Sequence, residues 1–97
     1  ITTSDELPPP ADLRVISRVN GEERQNEQLS EMIFSVEELI SYLSMVMPLE
    51  PGDIIATGSP EGTGGSMEPQ RWLSDGDQVE FEVPGIGILN NAVVNES

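Results

Sequence analysis

The chain has 97 residues, with four Arg, no Lys and no His against eighteen Asp plus Glu, for a formal charge of −14. Affinity for nucleic acid comes mainly from Lys and Arg on phosphate, so a surface this acidic repels DNA, RNA and anionic lipid. The length allows one domain at most, and a chain this short buries only about 60 to 65% of its unfolded surface, which leaves it marginal alone or dependent on another chain.

Leu, Ile, Val and Phe make up about 27% of the residues, above the level of roughly 20% below which high net charge goes with disorder. A folded chain is expected. The absence of Cys removes disulfides, thiolate zinc sites and a Cys nucleophile. No apolar run approaches the ~20 residues of a membrane span. The opening Ile1-Thr2-Thr3-Ser4-Asp5-Glu6 has neither the basic start nor the apolar centre of a signal peptide, and it reads as a beginning cut from the middle of a longer chain. Zero Lys beside so many carboxylates favours a halophilic surface, adapted to high salt where self-repulsion is screened, over an acidic protein of ordinary conditions.

Asp5 to Asp12 carries Pro8-Pro9-Pro10 and reads as an extended connector, since each proline lacks an N–H and restricts its predecessor. Leu13, Val15, Ser17 and Val19 then alternate with Arg14, Ile16, Arg18 and Asn20, the periodicity of a strand. Asn20-Gly21 supplies the positive-φ pair of a type I′ hairpin turn. The return strand, Glu22 to Gln28, is polar on both faces and is expected to lie at an edge, or to face water more than its partner does.

Ser35 with Glu38 three residues later predicts a capping box, flanked by Phe34 and Leu39 as a hydrophobic staple. Val36, Leu39, Ile40, Leu43, Val46 and Met47 follow at helical spacing, so a helix of about three turns is expected to bury one face before Pro48 ends it. Pro51-Gly52-Asp53 reads as a turn into Ile54-Ile55-Ala56, a continuously apolar run of the kind buried on both faces of a sheet. Thr57-Gly58-Ser59-Pro60 ends that run, and the Gly-rich stretch from Glu61 to Gly76 is long enough to suggest a functional lid. Val79, Phe81 and Val83 alternate with Gln78, Glu80 and Glu82, Pro84-Gly85 suits a type II turn, and Ile88 to Val94 returns as the second arm of a hairpin. A faint echo links Leu49-x-x-Gly52-Asp53-x-Ile55 to Leu73-x-x-Gly76-Asp77-x-Val79, as one way of entering a strand used twice. About six strands and one helix result, an α+β chain that is mostly β.

Without His, Cys or Lys, the side chains that most often act as general base, nucleophile or Schiff-base former near neutral pH are missing. Carboxylates alone can still hold a hard cation through oxygen. Glu80 and Glu82 share one face of a strand but read more simply as its wet side, opposite Val79, Phe81 and Val83. Asp75-Gly76-Asp77 opens like a calcium loop, lacks the later ligands and reads as a turn, while Glu22-Glu23 and Glu37-Glu38 read as solvated faces. Thr57-Gly58-Ser59-Pro60 is ordinary turn chemistry taken alone, yet two hydroxyls and a glycine can also hold a carboxylate, because glycine lets a ligand approach the main chain.

Several stretches in order, Val19-Asn20-Gly21-Glu22, Met32 to Ile40, Leu49 to Pro60 and Val83-Pro84-Gly85-Ile86-Gly87, resemble the carboxy-terminal half of the fumarylacetoacetate hydrolase family over nearly the whole chain. The resemblance implies that residues 1–97 are the carboxy-terminal portion of such a catalytic domain. It implies a mixed β-sheet roll or sandwich with one amphipathic helix, usually dimeric, in a cytoplasmic enzyme of aromatic catabolism. The implied reaction is hydrolysis, isomerisation or decarboxylation of a 2-oxo acid or β-dicarbonyl carboxylate.

A divalent metal is implied too, Mg²⁺ or Mn²⁺ with Ca²⁺ as a further candidate, acting as a Lewis acid on the β-keto acid oxygens. In the family its Glu-x-Glu and Asp ligands, and the active-site lysine, lie upstream of the matched region, so no metal ligand and no catalytic residue is assigned here. The family's Thr-Gly-Thr-Pro loop matches Thr57, Gly58, Ser59 and Pro60, which makes Thr57, Gly58 and Ser59 the expected substrate-binding residues, with Ser59 where a second threonine is usual. Association with a missing amino-terminal half is expected. The rival reading is a non-catalytic acidic β-rich module, or an inactive fragment. The composition makes one prediction of its own: if the surface is salt-adapted, urea-unfolding midpoints fall steeply as salt is removed, whereas full stability in dilute buffer selects the second reading.

Overall fold

In the computed structural model, which describes residues 1–96, the chain is α+β and mostly β. It forms a four-stranded antiparallel sheet, β1 (Arg14–Val19), β2 (Glu22–Gln28), β3 (Gln78–Val83) and β4 (Gly87–Ala92), with one helix, α1 (Val36–Val46). The spatial order β2-β1-β3-β4 puts polar β2 at an edge, as its composition requires. Asn20 at φ 52° and Gly21 at φ 77° make the tight β1–β2 turn. The Asn20 side chain then locks that turn to the start of β3: its amide donates to Asp77 Oδ1 at 2.8 Å, and its oxygen accepts from the Gln78 N–H at 2.9 Å.

The register pairs Ser17 with Gln25 and with Phe81 on one face, and Ile16 with Asn26 and with Glu82 on the other. A bulge leaves Arg24 unpaired between the Ser17–Gln25 and Arg18–Glu23 positions. Ile16 and Ser17, at 8% and 5% exposed, are the buried residues of the sheet. The echo between the two Gly-Asp turns is structural. Asp53 and Asp77 each donate a backbone N–H to the carbonyl three residues back, at 3.1 Å, and each carboxylate accepts that same residue's N–H at 2.8 Å.

Ser35 Oγ accepts the Glu38 N–H at 3.2 Å and Glu38 Oε2 accepts the Ser35 N–H at 2.8 Å, completing the capping box. Met47, ahead of Pro48, is already extended at φ −150° and ψ 152°, as a residue before proline prefers. Val83–Ile86 closes as a turn through the 2.9 Å bond from the Ile86 N–H to the Val83 carbonyl, with Gly85 at φ 89°.

Three expectations are corrected. There are four strands, not six, and Ile54-Ile55-Ala56 is not one of them: Ile54 is 95% exposed and the run joins no ladder among the described residues. Its turn forms because that turn is local, whereas a strand needs a partner. α1 buries no residue. Val36, Leu39 and Leu43 are half-covered, but Ile40 and Val46 are exposed, since no sheet face packs along the helix. The faces of β3 are also not wet and dry as the alternation suggests. Arg18 reaches across to Glu82 at 2.7 Å, so Glu80 and Glu82 are half-covered while Phe81 is 46% exposed.

The consequence is an open surface. The chain exposes 7580 Å², where a folded monomer of its mass exposes about 5,400 Å². Its radius of gyration is 15.9 Å against about 12.5 Å for a compact domain of this length. Asp77 gives a pH prediction. Its carboxyl is held below the ordinary 3.8 first by the Asn20 amide and then by the Ser74 N–H. A lowered folded pKa contributes stability that is complete above the ordinary value and lost as pH falls through the lowered one. Asp77→Asn is therefore expected to flatten the acid limb of the stability curve, checked by urea midpoints across the acid range. Ser35→Ala is expected to cost the helix about 1 kcal/mol, read as lost helical circular dichroism; an unchanged signal would count against the cap.

Candidate functional site

Two hollows flank the face of the sheet that carries Ser17 and Gln25. The larger, of about 580 Å³, brings Thr57, Gly58, Ser59 and Pro60 together with Val15 at the start of β1 and with Phe34 and Leu39 at the start of α1. The residues expected to hold substrate thus form one wall of one cleft. The staple pair Phe34 and Leu39 lines the same space, so the signal that starts the helix also supplies apolar lining.

Gly58 sits at φ +100°, with nothing within 4 Å of where a Cβ would stand. The requirement for glycine there is conformational, not spatial. Thr57, Gly58 and Ser59 are exposed to the cleft, leaving their hydroxyls and N–H groups accessible to a ligand. Beyond them the loop is fastened to the sheet. Gln25 Nε2 donates to the Pro60 carbonyl at 2.9 Å, and buried Ser17 donates its hydroxyl to Gln25 Oε1 at 2.8 Å.

The Gly-rich stretch that follows is pinned to β2. A Cβ on Gly62 would overlap the Arg24 carbonyl, Arg24 reaches Met67 Sδ at 3.4 Å, and Arg71 holds Glu22 through two bonds of 2.6 and 3.1 Å. Arg71 draws the Glu22 carboxyl below its ordinary value. Arg24 Nε, although 3.4 Å from Glu22 Oε1, is not aligned for a hydrogen bond and is buried without one. The smaller hollow, about 310 Å³, lies here beside Trp72 and Phe81.

The electrostatics of the cleft were not legible beforehand. Glu27, Glu31 and Glu61 line it, and no basic side chain does. Among the described residues no group of three or more Asp, Glu, His or Cys is placed to hold a metal ion. Glu80 and Glu82 are drawn to Arg18 instead.

The family model of the fumarylacetoacetate hydrolase C-terminal domain matches residues 1–94. The fold matches fumarylacetoacetate hydrolase from psychrophilic Exiguobacterium antarcticum, with 42% identity and a TM-score of 0.89 over 98% of this chain and 34% of that one. It matches maleylpyruvate hydrolase of Sphingobium sp. SYK-6, solved with manganese(II) and pyruvate, with 36% identity and a TM-score of 0.83 over 97% and 33% of the two chains. A third match is 5-carboxymethyl-2-hydroxymuconate delta-isomerase from Mycobacterium smegmatis, with 39% identity and a TM-score of 0.76 over 92% and 33%.

With the family model matching residues 1–94, the chain belongs to the fumarylacetoacetate hydrolase family. It spans about a third of the length of the relatives it matches. The three solved structures named above are two hydrolases and an isomerase, and they lend no support to a non-catalytic acidic module.

The loop yields a further prediction. Gly58→Ala is expected to cost about 1 to 2 kcal/mol through backbone strain alone. Gly62→Ala, which adds a collision with the Arg24 carbonyl to a φ of +101°, is expected to cost more. Urea midpoints of the two variants rank them, and equal losses would refute the close approach at Gly62.

Proposed function

We propose that this chain is the carboxy-terminal, substrate-holding wall of a cytoplasmic hydrolase or isomerase that acts on an acylpyruvate-like 2-oxo acid released by aromatic-ring cleavage. The observation that carries the reading is the Thr57-Gly58-Ser59 turn. It faces a 580 Å³ cleft with Gly58 at φ +100°, so that hydroxyl and backbone donors are presented to a small carboxylate. Phe34 and Leu39 accept the less polar part of the substrate and keep water from it.

The charge of the cleft supports a further part of this reading. Three carboxylates and no cation oppose an anion, so the countercharge, a divalent Mg²⁺ or Mn²⁺ and a base, belongs to polypeptide outside these 97 residues. Exposed Ile54 and the open face of α1 are where that polypeptide, or a second subunit of a dimer, would cover apolar surface. In this division of labour the chain binds and orients the carboxylate, and the proton transfers take place elsewhere.

The test is pyruvate binding in the presence of Mn²⁺, followed by calorimetry. The chain alone is expected to show none, and the full-length enzyme is expected to bind. Ser59→Ala and Thr57→Val in the full-length enzyme should each lose about 1 to 3 kcal/mol of binding if their hydroxyls bond the carboxylate in a covered pocket. Unchanged affinity in both variants refutes the assignment.

A further inference from the structure

We infer that Gln25 is a positioning residue for the substrate loop, acting through the Pro60 carbonyl; this rests on the reading that Thr57 to Ser59 hold the substrate. Gly58 has open space around it, with nothing within 4 Å of a Cβ position. The tip of the loop is therefore placed by its ends. One end is the Glu50–Asp53 turn, closed by its own 3.1 and 2.8 Å bonds. The other is Pro60, which has no N–H, so its carbonyl is the one main-chain polar group that can tie it down.

That tie comes from the sheet. Gln25 Nε2 donates to the Pro60 carbonyl at 2.9 Å. The amide cannot be turned over, because its oxygen would then face another acceptor. In the orientation that works, Gln25 Oε1 accepts from Ser17 Oγ at 2.8 Å, and Ser17 is 5% exposed on interior strand β1. The Ser17–Gln25 register pair thus transmits the position of the sheet to the exit of the loop. Gln25 does not line the cleft, so its effect on a ligand passes through the loop.

Gln25→Glu tests this in the full-length enzyme, because it keeps the shape and the Ser17 bond but sets a carboxylate oxygen against the Pro60 carbonyl. The expected result, with pyruvate and Mn²⁺ as the probe, is affinity weakened about tenfold with little change in melting temperature, the size expected for one lost bond. The effect should shrink in a Ser59→Ala background, as a double-mutant cycle reads for groups acting through one another. Equal losses in both backgrounds would mean general destabilisation and overturn the inference. Ser17→Ala, which removes the bond that steadies Gln25 Oε1, is expected to weaken binding less but in the same direction, and no loss there also overturns it. If Thr57→Val and Ser59→Ala weaken binding while Gln25→Glu does not, the inference fails and the functional reading stands. If none of them changes it, both fall.

Discussion

The register of the β1–β2 hairpin is the constraint on which the rest depends. Asn20 and Gly21, both at positive φ, turn the chain within two residues, and the bulge at Arg24 then moves the pairing on by one residue, so that Ser17 faces Gln25. From this pairing follow the bonds from Ser17 to Gln25 and from Gln25 to Pro60, and hence the place where the Thr57–Pro60 loop leaves the sheet. The same Asn20 side chain ties the turn to Asp77 and Gln78. One residue in a left-handed conformation thereby joins the two hairpins. A slip of one position would put Gln25 on the opposite face and leave the loop unheld.

All four cations are committed away from the cleft. Arg14 bonds Asn26, Arg18 pairs with Glu82, Arg24 lies under the loop beside Met67, and Arg71 clasps Glu22. They hold strands to one another and the Gly-rich stretch to β2, where an ion pair between exposed groups contributes little energy but fixes geometry. The cleft keeps carboxylates alone. On the functional reading proposed above, the positive charge for an anion bound in such a place comes from another part of the molecule. The open apolar surface of α1 and of Ile54 points the same way.

The parts legible in the sequence are those whose bonds close within a few residues. The Ser35–Glu38 box, the Asn20-Gly21 turn, the paired Gly-Asp turns and the end of α1 before Pro48 all satisfy their own N–H and C=O groups locally. The ordered motifs also sufficed to reveal the family, and Thr57, Gly58 and Ser59 do lie in one cleft. Ile54-Ile55-Ala56 misled because an apolar run states that a strand wants burial without stating what buries it.

The amino-acid sequence by itself determined where the chain turns, where the helix begins and that its carboxylates repel polyanions, because each of these needs only neighbouring residues or the sum of charges. Only the tertiary structure decided that Gln25 reaches Pro60, that Arg18 covers Glu82 and makes the supposed wet side of β3 half-dry, and that three glutamates share the cleft with Thr57 and Ser59. Those contacts join residues separated by dozens of positions. No local pattern encodes such a contact, since it exists only once the strand order β2-β1-β3-β4 has brought its two ends together.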